Sequence, residues 1–74
     1  MTFGLAIEAT KKGLKVARAG WNGKGMFLFY VDRPVAYWGC EGSNWIGMKT
    51  ADNKAVPWLA SQSDVLAEDW CIVS

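Results

Sequence analysis

The run Gly20-Trp21-Asn22-Gly23-Lys24-Gly25 sets a large indole and a carboxamide among three glycines. Glycine tolerates the positive φ of a tight turn and leaves backbone N–H groups approachable. A flat ring beside an amide that both donates and accepts suits a nucleobase or a ribose. The run lacks P-loop spacing and leads into a strand pattern, where a P-loop leads into a helix; a plain strand connection explains it equally well. A second cluster, Pro57-Trp58-Leu59-Ala60-Ser61-Gln62-Ser63-Asp64, gathers hydroxyls and amides where a short helix pattern begins. A helix start attracts a phosphate or sugar, and the same residues also read as a capping motif with Trp58 anchored in the core. Arg18, Lys24, Arg33 and Lys49 are basic side chains on predicted strands and loops. One or two of them could neutralise a pyrophosphate between subunits, the others being solvated.

Acid–base machinery is missing. The chain has no histidine, the commonest general base and metal ligand. Ser61 and Ser63 have no base partner nearby in sequence, and Cys40 sits beside Glu41, which disfavours its thiolate. Asp64, Glu68 and Asp69 are the one carboxylate cluster, and Asp64 and Glu68, four residues apart, are expected to form a solvated helix face rather than a glycosidase pair. Two cysteines without histidine make too small a ligand set for zinc. Neither an enzyme, a metal site nor a cofactor is expected.

The 74 residues, 51% hydrophobic and 20% charged, specify a single domain over 1–74. A net charge of +1 argues against nucleic acid as a partner. The longest apolar run, Met26 to Val31, is far too short to cross a membrane, and the N-terminus lacks a signal-peptide pattern. Cys40 and Cys71 are therefore expected as free thiols in a reducing cytoplasm. Five tryptophans overfill one small core, so some aromatic surface should meet a ligand, a second subunit or both. A homo-oligomer is expected.

The elements that would position these residues follow from periodicity. Phe3, Ala6, Ile7 and Thr10 fall on one helical face, with Thr2 as N-cap, Lys11 and Lys12 in the last turn, Gly13 as the stop and a Glu8–Lys12 ion pair outside. Leu14 to Arg18 alternates as a strand, and Met26 to Val31, apolar on both sides, reads as a strand covered on both faces. Val35 to Trp45 suggests a short strand leading into a loop. Ile46 to Thr50 and Lys54 to Trp58 form a hairpin about Asp52-Asn53, with Pro57 on an edge. Ser61 and Asp64 form a capping box, and Trp70 to Val73 is the last strand. The fold class is α+β: an antiparallel sheet of about five strands, an N-terminal helix and a short helix before the last strand.

Val16-Ala17-Arg18 with Gly20 through Leu28, then Met48-Lys49-Thr50-Ala51-Asp52 and Val56-Pro57-Trp58 through Trp70, together resemble the Thoeris anti-defence protein 2 family. The resemblance covers most of the chain. It implies a phage protein in the cytoplasm of an infected bacterium, assembled as a homo-oligomer, typically a tetramer. Such a protein is a sponge: it binds a cyclic ADP-ribose-type immune signal intact, and some relatives bind cyclic dinucleotides. Carried onto this chain, Trp21 would stack on a base and Asn22 bond a base edge or sugar. Met26 and Phe27 would line the wall, with Trp58 as a wall or second stacking surface. Thr50, Ser61 and Asp64 would address ribose or phosphate, and Lys49 or Arg18 would face phosphate. Many family members have a longer segment where this chain has only Asp32 to Gly47, with Tyr37-Trp38-Gly39-Cys40 and Asn44-Trp45 inside it. That region is expected to shape the pocket or a subunit contact. The competing readings are an enzyme that cleaves the same signal and an inhibitor that docks on a host protein.

Overall fold

In the computed structural model, which describes residues 1–21, 25–32 and 35–73, a helix α1 (Phe3–Lys11) precedes the strands. The Thr2 hydroxyl accepts from the Leu5 N–H, and the C-terminus closes as a Schellman motif. There Gly13 takes φ +92, its N–H reaches Thr10 O at 2.9 Å, and the Leu14 N–H reaches Ala9 O at 3.2 Å. Leu14 is thus consumed by the helix cap, and strand β1 begins only at Val16, running Val16–Arg18. The expected Glu8–Lys12 ion pair is absent: Lys12 is the cap residue and has left helical geometry. Between two exposed side chains such a pair offers little to hold it.

A 3-10 turn, Ala19–Trp21, follows, then β2 (Phe27–Val31), β3 (Trp45–Lys49), β4 (Ala55–Pro57), a short helix α2 (Gln62–Leu66) and β5 (Trp70–Ile72). The sheet is antiparallel throughout, in the order β4-β3-β2-β1-β5. This is the α+β architecture read from the sequence, with Pro57 on the edge strand, where its missing N–H costs no ladder bond. Asn53, at φ +70, turns the β3–β4 hairpin, and Thr50 clips the turn by accepting from the Lys54 N–H at 3.0 Å. Between β2 and β3 the expected short strand is instead a two-residue turn. Tyr37 and Cys40 exchange backbone bonds around Trp38 and Gly39, both at positive φ, as in a type I′ turn.

Residues opposite each other in an antiparallel ladder share a face. Val16, Leu28, Met48, Val56 and Ile72 therefore point one way, joined by Trp70 and Arg18. Both helices cover that face. The core is Ala6, Val16, Leu28 and Trp70, with Phe3, Trp21 and Trp58 packed around it. The Trp70 ring lies 5.5–6.0 Å from the rings of Trp21, Phe3 and Trp58, and its indole N–H donates to Asp64 O at 3.0 Å. Thr10, the buried polar side chain among the described residues, donates to Ala6 O at 2.8 Å.

On the opposite face no described helix lies over β2. Phe27, Phe29 and Val31 are half-buried, so the expected double cover is corrected: one face of β2 is packed and the other is open. Phe29 rests on Gly47, where a side chain would come within 2.3 Å of the ring, and Trp45 packs edge-on against Phe29. Trp70→Ala removes the ring shared by three aromatic neighbours, and truncations of this kind cost about 3–5 kcal/mol. That approaches the whole stability of a small domain. The variant should lose cooperative thermal unfolding by circular dichroism at temperatures where the parent is folded.

Candidate functional site

Strands β1 and β2 are paired at one position only, Val16 with Leu28, before the chain between them leaves the sheet. A cavity of about 570 Å³ opens at this seam, within the range of roughly 300–1,000 Å³ that small-molecule sites occupy. Ala17, Arg18 and Ala19 supply one side, and Cys71 and Val73 extend it. Trp21, Gly25, Met26 and Phe27 form the other, with Lys15 and Lys49 reaching in from β1's leading end and from β3. The described lining holds three basic side chains and no acidic one, in a chain of net charge +1.

Trp21 bridges two environments: it touches the core through Trp70 and presents the rest of its surface to the cavity. Packing against a buried ring restrains the indole before any ligand arrives. Lys49 is also restrained, since its ammonium donates to Gly25 O at 3.1 Å. Gly25 has φ +73, and a Cβ there would sit 3.2 Å from the Lys49 nitrogen, so this close approach favours glycine.

Arg18 reaches the cavity from the seam, and its charge is balanced on the other side. Its Nε donates to Asp69 Oδ1 at 2.9 Å and its Nη1 to Asp64 Oδ1 at 3.0 Å. Asp64 at the same time closes the α2 capping box, accepting from the Ser61 N–H and hydroxyl while the Ser61 hydroxyl accepts from the Asp64 N–H. The expected solvated Asp64–Glu68 face does not form. α2 ends at Leu66, Ala67 is extended, and Glu68 lies beyond the helix while Asp64 turns inward to Arg18.

Of the residues read from the sequence as ligand-binding, the cavity brings together Arg18, Trp21, Met26, Phe27 and Lys49. Asn22, and the candidate cations Lys24 and Arg33, lie outside the described residues. Thr50, Trp58, Ser61 and Asp64 do not line the cavity: Thr50 holds the β3–β4 turn, Trp58 packs between Phe3 and Trp70, and Ser61 and Asp64 cap α2. The Tyr37–Cys40 turn is likewise away from the cavity lining, with Trp38 99% exposed at its tip. The lining also includes Lys15, Ala17 and Cys71, to which the sequence reading assigns no ligand role. Period-2 alternation from Lys15 through Ala17 would have found the first two, but Cys71 joins them only because β5 pairs with β1. Cys40 and Cys71 are free thiols, and Cys71 donates to Ala17 O at 3.4 Å. Among the described residues no three potential metal ligands gather, and no described helix is long and apolar enough to cross a membrane.

The clasp has a pH signature. The Arg18 hydrogen bond holds Asp69 below the ordinary aspartate value of 3.8. For Asp64 burial pushes upward, but the bonds from Ser61 and Arg18 outweigh it and the net direction is also down from 3.8. A depressed carboxylate contributes stability above its unfolded pKa and loses it as pH falls through the folded value. The denaturant midpoint should therefore be insensitive to these groups between about pH 7 and 5 and fall below about pH 4. In Asp69→Asn the acid-side fall should be shallower, with the midpoint at neutral pH already lowered.

The chain is similar along its length to proteins of one kind. The family described as the Thoeris anti-defense 2-like domain matches residues 1–73. A curated relative, Thoeris anti-defense 2 of Bacillus phage SP01, is 46% identical over 91 aligned positions, covering 100% of this chain and 96% of the relative. The aligned length exceeds the 74 residues here, so the relative carries additional residues that this chain lacks. With the family matching nearly every residue and the phage relative covered almost end to end, the chain belongs to the Thoeris anti-defense 2-like family of phage anti-defence proteins.

Proposed function

We propose that the protein captures a cyclic ADP-ribose-type immune signal in the seam cavity and holds it without cleaving it. The observation that carries this reading is the cavity itself: an indole, a phenyl ring and a thioether beside three basic side chains, with no carboxylate in the described lining. A nucleotide with a base and adjacent phosphates presents the complementary pattern. Membership of an anti-defence family supports removal of a signal as the biological outcome.

Capture is favoured over cleavage on chemical grounds. The chain has no histidine, and the cavity's single thiol, Cys71, donates to a backbone carbonyl rather than to a base. Lys49 is held by Gly25 O and Arg18 by two carboxylates, so both side chains are placed before a ligand arrives. A sponge competing with an effector needs about −12 kcal/mol for nanomolar capture. Stacking on one aromatic ring supplies roughly 1–3 kcal/mol, so charge-assisted bonds and a preorganised wall must supply the rest. Assembly as a homo-oligomer, typically a tetramer in the resembled family, is part of the proposal, and the open sheet face carrying Phe29 and Trp45 is available for it. A docking inhibitor of a host protein is the second reading, drawing on Trp38 and Leu59, which are 99% and 92% exposed.

Titration calorimetry with cyclic ADP-ribose, followed by heating and chromatography of the released ligand, tests the reading. Tight binding with intact recovery is expected. Trp21→Leu keeps an apolar contact to Trp70 but removes the flat ring, and should weaken binding about ten- to a hundred-fold with the fold preserved. Recovery of a linearised product would replace capture with catalysis. A folded protein that ignores cyclic ADP-ribose and cyclic dinucleotides alike would transfer the assignment to protein docking.

A further inference from the structure

Lys15 and Lys49 approach the same aromatic ring from opposite sides of β2. Phe27 lies directly across from Lys49 in the β2–β3 ladder, while Lys15 precedes β1 on the other flank. The Lys15 ammonium stands 4.8 Å from the Phe27 ring centroid and the Lys49 ammonium 6.0 Å. Among the described residues neither has a carboxylate within the 4.0 Å of a salt bridge. Arg18, the third basic lining residue, is bonded to both Asp64 and Asp69. The uncompensated positive charge of the described lining is therefore concentrated on the two lysines.

A ring quadrupole attracts ammonium groups, but two cations sharing one ring leave each only partly compensated. Their mutual repulsion falls when an anion enters between them. Lys49 is already anchored to Gly25 O, so much of the entropy of ordering that side chain is spent before binding.

We propose that Lys15 and Lys49 form a subsite for a pyrophosphate group, held between their two ammonium groups at the Phe27 end of the cavity. The proposal rests on the reading of this cavity as the ligand site and adds a residue, Lys15, and a polarity to it. The Phe27 end receives the doubly charged phosphoryl portion. The Arg18 end, whose cation is offset by two carboxylates, receives neutral hydrogen-bonding groups. Lysine acts here as a point charge, and no group transfer is involved.

Inorganic pyrophosphate is the probe that isolates this subsite, with adenosine as the uncharged control and cyclic ADP-ribose as the full-sized one. In amide-resolved NMR titrations pyrophosphate should shift Lys15, Gly25, Phe27 and Lys49, with the effect weakening as salt rises. Lys15→Gln and Lys49→Gln should each weaken pyrophosphate about tenfold, since charge-assisted hydrogen bonds are worth roughly 1.4 kcal/mol or more. Lys12→Gln, on the exposed end of α1, should leave it unchanged. Adenosine affinity should be insensitive to both cavity substitutions. If pyrophosphate leaves these amides unmoved, or if Lys12→Gln weakens it as much as Lys15→Gln, the subsite is refuted whatever cyclic ADP-ribose does. If pyrophosphate binds with the expected lysine dependence and cyclic ADP-ribose does not bind, the subsite stands and the sponge reading falls.

Discussion

Trp70 is the constraint on which the rest of the molecule depends. It is 2% exposed in a chain with few fully buried large side chains, and it joins segments from both ends of the sequence. Its ring meets Phe3 of the first helix, Trp21 of the glycine-rich connection and Trp58 after the edge strand. Its indole N–H ties α2 to the sheet, and its backbone pairs opposite Arg18. A domain of this size buries a modest fraction of its unfolded surface, so one large ring touching every layer does work that several aliphatic side chains share in a larger core.

The placement of Trp70 also decides where charge goes. Arg18 lies opposite it across the β1–β5 ladder, at the border between the covered face and the seam. Asp64, whose carbonyl receives the Trp70 indole, and Asp69, the residue before it, are thereby brought to the same guanidinium. The result is a clasp between α2, β5 and β1 made of partly exposed groups, worth more for the orientation it imposes than for raw energy. It also balances one cationic end of the cavity and leaves the lysine end uncompensated. A nearly neutral chain thus acquires a strongly polarised cavity through distribution alone.

The seam is the complementary feature. A sheet with a full β1–β2 ladder would close this space, whereas a single paired position leaves it open between the 3-10 turn Ala19–Trp21 and Gly25. Gly25 and Gly47 serve the same economy of space: the first admits the Lys49 ammonium, the second admits the Phe29 ring. The aromatic row from Phe27 through Phe29 to Trp45 continues the cavity floor along the open face.

What sequence alone determined here was local. Helix α1 and its glycine stop, the Asp52-Asn53 hairpin, the edge proline and the Ser61–Asp64 capping box are each dictated by neighbours within a few residues, through capping bonds, φ preferences and period. The family motifs were legible because they are contiguous runs. Tertiary structure decided how those runs divide. Trp21, Met26, Phe27, Arg18 and Lys49 converge on the seam, whereas Trp58, Ser61 and Asp64, equally prominent in sequence, are spent on core packing and capping. Side-chain chemistry does not distinguish an indole that packs on Trp70 and also lines the cavity from one that packs on Trp70 and Phe3 alone. Only strand order does, because it is β5 pairing with β1 that puts one tryptophan at the cavity rim and another under the helices. The open face of β2 and the role of Lys15 follow from that same order, since alternation names two faces but not which of them the helices will cover.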